Sequence, residues 1–175
     1  MRGLGPYAVI VASLSIAAVS RAGGNVSTQP RDTRTQIVLL GTGNPSPSPD
    51  NSGPSTAIVV NGEAYLVDLG PGVVRRAAAA QQKGISARRP ANIHHAFVTH
   101  LHSDHTVGYP DLIFTPWVVG RQRPLEVYGP HGLKAMTDHV LAAWADDIEI
   151  RRGPTERAIV SANGYQVNAH EISAG

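Results

Sequence analysis

Alternation of apolar and polar positions marks three β-type runs early in the chain: TQIVLLG over 35–41, PSTAIVV over 54–60 and EAYLVD over 63–68. Asn61-Gly62 separates the last two, and both residues tolerate the positive φ of a tight hairpin, so the three runs predict one sheet. The pattern then changes. GVVRRAAAAQQKG is rich in strong helix formers and stops at Gly84, where a left-handed cap carries no steric cost. ANIHHAFVTH predicts a buried strand that runs into a polar cluster, and GYPDLIFTPWVVG a loop and helix. PLEVYG predicts a strand, the segment from about His131 to Asp146 a helix, DIEIR a short strand, and YQVNAHEIS a last strand. Helices interleaved with strands predict an α/β domain in which a sheet is covered by helices.

The first 22 residues follow a different pattern. Arg2 precedes a short apolar stretch from Ala8 to Val19, and small residues Ser20 and Ala22 follow, the order of a secretory signal peptide. The stretch is shorter than the roughly 20 residues that cross a bilayer as a helix, so a stable membrane span is not expected. The sequence therefore predicts a signal peptide over 1–22, a Gly/Pro-bearing linker over 23–34, a folded domain over 35–175, and a secreted or periplasmic location. A net charge of +2, from 15 Lys and Arg against 13 Asp and Glu scattered along the chain, shows no basic stripe, and nucleic acid is read as an improbable partner. The absence of cysteine excludes disulfides and thiolate metal sites, leaving histidine and carboxylate as ligands.

Residues 99–105, THLHSDH, supply those ligands at the end of the strand. His100 and His102 are two apart and point the same way in an extended segment, while Asp104 and His105 join them once the chain turns. Imidazole and carboxylate suit zinc, manganese or iron, so one ion could take His100 and His102 and a second Asp104 and His105. The alternative is a solvated histidine-rich loop. Elsewhere, GTGNP lacks the ending of a phosphate-binding loop and reads as a turn, and Ser103 has no paired base for covalent catalysis. Trp117 and Trp144 are assigned to packing, and RRG at 151–153 is too short to mark a nucleic-acid surface.

THLHSDH matches the H-x-H-x-D-H signature of the metallo-β-lactamase superfamily, and LLGTGNPSP and VDLGPG agree with its N-terminal half. The stretch from SDHTVGYPDLIFTPWVVG through MTDHVLAAWADDI resembles the branch of ribonuclease Z-like proteins and metallo-β-lactamase-type arylsulfatases. The resemblance implies a four-layer αββα sandwich, of which this chain would be the N-terminal half, truncated at its C-terminal side. It implies two divalent metal ions, zinc first among the candidates, with His100 and His102 on one and Asp104 and His105 on the other. Asp104 would also hold the attacking hydroxide and accept its proton. Asp68 would stand behind the ligands and orient them, where its own position before Gly70 would equally suit a turn.

In the family a further histidine, a bridging aspartate and a last histidine come from downstream. His131, His139 and His170 are not followed by the aspartate-bearing strand that this pattern needs, and are assigned to surface or core, with substrate contact open only for His131. The leading expectation is a metal-dependent hydrolase of small sulfate or phosphate esters, arylsulfatase-like, with a small-molecule ester as its partner. A ribonuclease Z-like phosphodiesterase is the enzyme alternative. A non-catalytic metal-binding or interaction domain is the other, with a sheet exposed by truncation as a surface for homo-oligomers.

Overall fold

The computed structural model describes residues 35–84 and 89–173; the expected signal peptide over 1–22 and linker over 23–34 lie outside them. Six strands form one mixed sheet in sequence order: β1 (Gln36–Gly41), β2 (Ser55–Val60), β3 (Glu63–Val67), β4 (His95–Phe97), β5 (Leu125–Gly129) and β6 (Val167–Glu171). The first three run antiparallel, and β3 through β6 run parallel. The β2–β3 hairpin closes as its sequence predicts, with Asn61 at φ 51° and Gly62 at φ 84°.

The parallel strands need crossovers, and helices supply most of them. They are α1 (Val73–Gln82), α2 (Ser103–Thr106), α3 (Tyr109–Val118), α4 (Leu133–Ala143) and α5 (Ala145–Arg152), with one 3-10 turn at Pro90–Asn92. One row of the sheet, Val38, Ala57, Leu66, Ala96, Val127 and Ala169, lies in register and faces the helices. Against it pack Val73, Val74 and Ala77 of α1 and Leu112, Ile113 and Trp117 of α3. The opposite face carries Ile37, Leu39, Phe97, Tyr128 and His170, of which Ile37 and Leu39 are 71% and 65% exposed. The described residues thus form a sheet with helices over one face, two layers of the four. No helix among them is long and apolar enough to cross a membrane.

The DIEIR segment is helix, not strand: it lies within α5. Its five-residue alternation is outweighed by helix signals, with Asp146 and Asp147 in the first turn, Arg151 and Arg152 in the last, and Arg151 paired to Asp147 one turn back. The strand expected over 91–100 shortens to His95–Phe97 because Pro90 opens a 3-10 turn and the polar cluster leaves the ladder. Trp117 is fully buried as expected, whereas Trp144 is 42% exposed and stacks on Phe114 at a ring distance of 5.4 Å.

Arg121 closes the far end of α3. Pro116 has no N–H, so the Leu112 carbonyl loses its helical partner. Arg121 Nη1 donates to it at 2.8 Å, Nη2 donates to Ile113 O at 2.6 Å, and Nε donates to Gly164 O at 3.0 Å. Burial pulls the guanidinium down to about 10, still charged at neutral pH.

Candidate metal centre

Because β3 through β6 are parallel, their C-terminal ends share one edge of the sheet, the usual place for chemistry on such strands. Asp68 leaves β3 there, and residues 99–105 leave β4 beside it. The chain turns at His102, which precedes the short α2, so Asp104 and His105 swing back towards His100. Leu69 N donates to His105 O at 2.8 Å and Gly108 N donates to Leu69 O at 2.8 Å, tying the turn to the segment after β3. Gly70 and Gly108 permit this closeness: a Cβ on Gly70 would stand 2.8 Å from Asp104 O, and one on Gly108 2.4 Å from Gly70 O.

The three imidazoles crowd together. The His100 ring centroid lies 4.7 Å from that of His102 and 4.1 Å from that of His105. Asp104 Oδ2 is 3.5 Å from His105 Nε2. Across a tetrahedral zinc with bonds near 2.0 to 2.1 Å, two ligand atoms stand roughly 3.3 to 3.4 Å apart, so Asp104 and His105 are spaced as co-ligands of one ion. No three His, Asp or Glu groups among the described residues converge on a single metal position. Imidazole and carboxylate are donors suited to divalent cations.

Asp68 orders this group from behind. It is 8% exposed and takes a left-handed φ of 63°, a conformation that aspartate tolerates better than most residues. Its Oδ1 accepts from Thr99 N at 2.9 Å and from Thr99 Oγ1 at 2.8 Å. Thr99 Oγ1 in turn lies 3.0 Å from His100 Nδ1. The hydroxyl has one proton, and it goes to Asp68, so Thr99 accepts from His100 Nδ1–H and His100 presents Nε2 as a lone pair. Asp68 Oδ2 stands 2.9 Å from His105 Nδ1. The distance is that of an ion pair, while the angle misses that of a hydrogen bond, leaving the buried Nδ1 without an in-line acceptor. His100 therefore keeps Nδ1 on the protein side and Nε2 outward, while the Asp68 carboxylate stands beside Nδ1 of His105 without bonding to it in line. A simple turn role for Asp68 would not require these contacts.

The sequence brought Asp68, His100, His102, Asp104 and His105 to attention, and all five meet here. It missed Thr99, whose signal was its place between the strand and the first histidine. The remaining histidines stay apart. His131 follows β5 with its side chain 99% exposed and Nδ1 3.3 Å from Glu171 Oε2. His139 is exposed on α4 with Nδ1 3.2 Å from Ala135 O, and His170 pairs with Glu126 Oε2 at 2.8 Å on the open sheet face. A cavity of about 640 Å³ adjoins the cluster, bounded by the 44–53 loop on one side and by Ser103, Asp104 and Val107 on the other.

Residues 49–169 match the model of the metallo-beta-lactamase superfamily. Ribonuclease Z of Mycobacterium marinum is 43% identical over 119 residues, 66% of this chain and 40% of its own length. Ribonuclease Z of Pyrococcus abyssi is 35% identical over 144 residues, 80% of this chain and 45% of its own. In three dimensions the chain is similar to human tRNase Z, short form, with a TM-score of 0.57 and 27% identity over 77% of this chain and 43% of that one. The chain thus spans less than half the length of these relatives. Their names overturn the expectation that nucleic acid is an improbable partner. Net charge averages over the whole surface and does not tell where on it positive groups gather. With the match extending over well more than half of its residues and including the whole histidine motif, the chain belongs to the metallo-β-lactamase superfamily of hydrolases.

Proposed function

We propose that this chain carries the histidine-motif part of a ribonuclease Z-like phosphodiesterase that acts on RNA. The observation favouring this over sulfate-ester hydrolysis is the set of relatives named ribonuclease Z, at 35–43% identity, with the tRNase Z fold beside them. In this reading His100 and His102 hold one divalent cation, and Asp104 and His105 hold the other. Such a pair of ions, when bound, lowers the pKa of a water and offsets charge on the phosphate. Asp104 accepts the proton of the attacking water, while Asp68 and Thr99 keep His100 in the ligating tautomer.

Two ligands for each ion fall short of the three protein ligands usual at catalytic zinc, so the 175-residue chain alone would hold metal weakly and turn over slowly. That shortfall, and the absence of three converging donors among the described residues, supports a second reading as a non-catalytic metal-binding domain. Export directed by residues 1–22 remains part of the proposal, with a mature chain beginning near Gly23. N-terminal sequencing of protein recovered from fractionated cells checks it; an intact Met1 in soluble cytoplasm rejects it.

The decisive assay supplies zinc or manganese in excess and offers a tRNA-containing transcript, a phosphodiester reporter and an aryl sulfate. Cleavage of RNA, lost in His102→Ala, supports the nuclease. Aryl sulfate turnover without phosphodiester cleavage rejects it, and bound metal with no turnover of any substrate favours the non-catalytic domain.

A further inference from the structure

We infer that Glu171, at the end of β6, is a positioning residue for the histidine motif: it pins the β5–α4 turn against Leu101 and so sets where His100 and His102 stand. The inference goes beyond the proposed chemistry and rests on it only in taking those two histidines as ligands of one cation.

Three parallel strands bring the parts together. Phe97 of β4 lies beside Tyr128 of β5, and Tyr128 beside His170 of β6, so the segments that leave these strands are neighbours at one edge. Val98 N donates to Tyr128 O and Ile172 N donates to Gly129 O, both at 2.7 Å, and these bonds hold the end of β5 between its neighbours. The chain then turns through GPHG, residues 129–132, into α4.

That turn leaves α4 without a cap of its own. Gly132 takes the N-cap position at φ 98°, has no side chain to accept from the first turn, and no acidic residue follows it there. Leu133 N turns back to Pro130 O at 3.2 Å, and two more donors are met from β6. Glu171 Oε1 accepts from Gly132 N at 2.8 Å and from Lys134 N at 3.1 Å, while its Oε2 lies 3.3 Å from Nδ1 of His131. The Lys134 N–H above all holds the Glu171 carboxyl below its ordinary range, so it is ionised at neutral pH, the charge that a helix N-terminus favours. Bonds to an ionised acceptor are stronger than neutral ones.

What the cap holds in place is packed on the motif. A Cβ on Gly132 would stand 3.0 Å from Leu101 Cδ1, so the glycine backbone and the leucine side chain are in direct contact. Leu101 also packs on the main core cluster and lies between His100 and His102. Where it seats decides the backbone from which both rings project. With the cap removed the turn is free to lift, and the two rings lose the fixed separation that a shared cation needs.

The test uses the full chain and reads zinc affinity together with NMR signals recorded without metal. Glu171→Ala should shift the Leu101 methyls and the amides of 100–102, and leave in place the amides of Leu69 and Gly108, which bond to His105 O and Leu69 O instead. Zinc affinity should fall about tenfold, the low end of the range for groups that support ligands from outside. Glu171→Gln removes the charge but keeps an oxygen for both N–H groups, and should retain most of the affinity. His131→Ala should leave zinc binding unchanged. Leu101→Ala should weaken zinc by a similar factor, and adding Glu171→Ala to it should weaken it no further, since both act through one contact. Unmoved Leu101 signals, full zinc affinity in Glu171→Ala, a Glu171→Gln no better than Glu171→Ala, loss of zinc in His131→Ala, or additive losses in the double variant would each overturn the inference. If the unaltered chain binds no zinc while Glu171→Ala still moves the Leu101 signals, the ligand reading fails and the positioning of the motif by Glu171 stands.

Discussion

Arg121 and Asp68 are both buried charged groups, at 0% and 8% exposure, and their surroundings differ in what is left over. Four N–H···O contacts run from Arg121 to three backbone carbonyls, Leu112, Ile113 and Gly164, and these tie the end of α3 to the segment before β6. Four of the guanidinium's five N–H donors are spent on those carbonyls. Asp68 also organises its neighbours, but the groups that it holds, His100 and His105, each keep one ring nitrogen turned outward. A buried charge whose contacts all go to the backbone builds the fold, and one that sits behind rings with a free nitrogen prepares a site.

The sharpest way to test the difference is to remove Arg121. Arg121→Met keeps the length and apolar stem but abandons three carbonyls in the core, and the Leu112 carbonyl cannot recover a helical donor because Pro116 has none. The expected loss is about 3 kcal/mol or more, read by urea denaturation, with metal affinity of the folded fraction unchanged. A stable variant would mean that water reaches those carbonyls and that the cluster is not sealed. Asp68→Asn should divide the two roles the other way. It keeps shape and an acceptor for Thr99 but removes the negative charge beside His105 Nδ1, and zinc affinity should fall about 10- to 100-fold with a smaller change in stability. Undiminished zinc binding would return Asp68 to the role of a turn residue.

His94 lies between the two kinds. Its Nδ1 is buried with no partner among the described residues. Burial first, then the Arg123 and Arg121 charges, lower its pKa to about 4 from an ordinary 6.5. Between those values the unfolded chain holds more protons than the folded one, so stability is fully present above pH 6.5 and declines as pH falls towards 4. The decline should be on the order of 1 kcal/mol after screening, and His94→Gln should flatten it in thermal melts at pH 4.5 and 7.5. An identical pH dependence in the variant would place the sensitive group elsewhere.

These groups mark the boundary of what the sequence discloses. Alternation with period two revealed β1, β2 and β3, because a half-buried strand writes its two faces directly into neighbouring residues. The four motif positions were legible for a similar reason: their spacing is local. Thr99 and Asp68 are 31 residues apart, and only the parallel pairing of β3 with β4 makes them neighbours. Arg121 was counted as one cation among fifteen, since composition does not distinguish a core guanidinium from a solvated one. The error over nucleic acid has the same origin. A charge total describes no particular place on the surface.

Thr99 offers the smallest effect and the finest distinction between the clusters. Its hydroxyl donates to Asp68 and accepts from His100 Nδ1 at 3.0 Å, so it passes the order imposed by the carboxylate to a ring that Asp68 does not touch. Thr99→Val preserves the shape but removes that relay, while the backbone N–H of residue 99 still donates to Asp68 Oδ1 and should hold the carboxylate in place. One neutral hydrogen bond is worth about 1 kcal/mol, so zinc affinity at the His100 position should fall roughly fivefold, less than in Asp68→Asn. Imidazole nitrogen shifts supply the readout that a loss of packing would not move: His100 should lose its single tautomer while His105 keeps its own. Thr99→Ser restores the hydroxyl and should restore both affinity and tautomer. If Thr99→Val leaves His100 in one tautomer, or Thr99→Ser fails to rescue it, the hydroxyl is not the relay and His100 is ordered by its crowding against His102 and His105 alone.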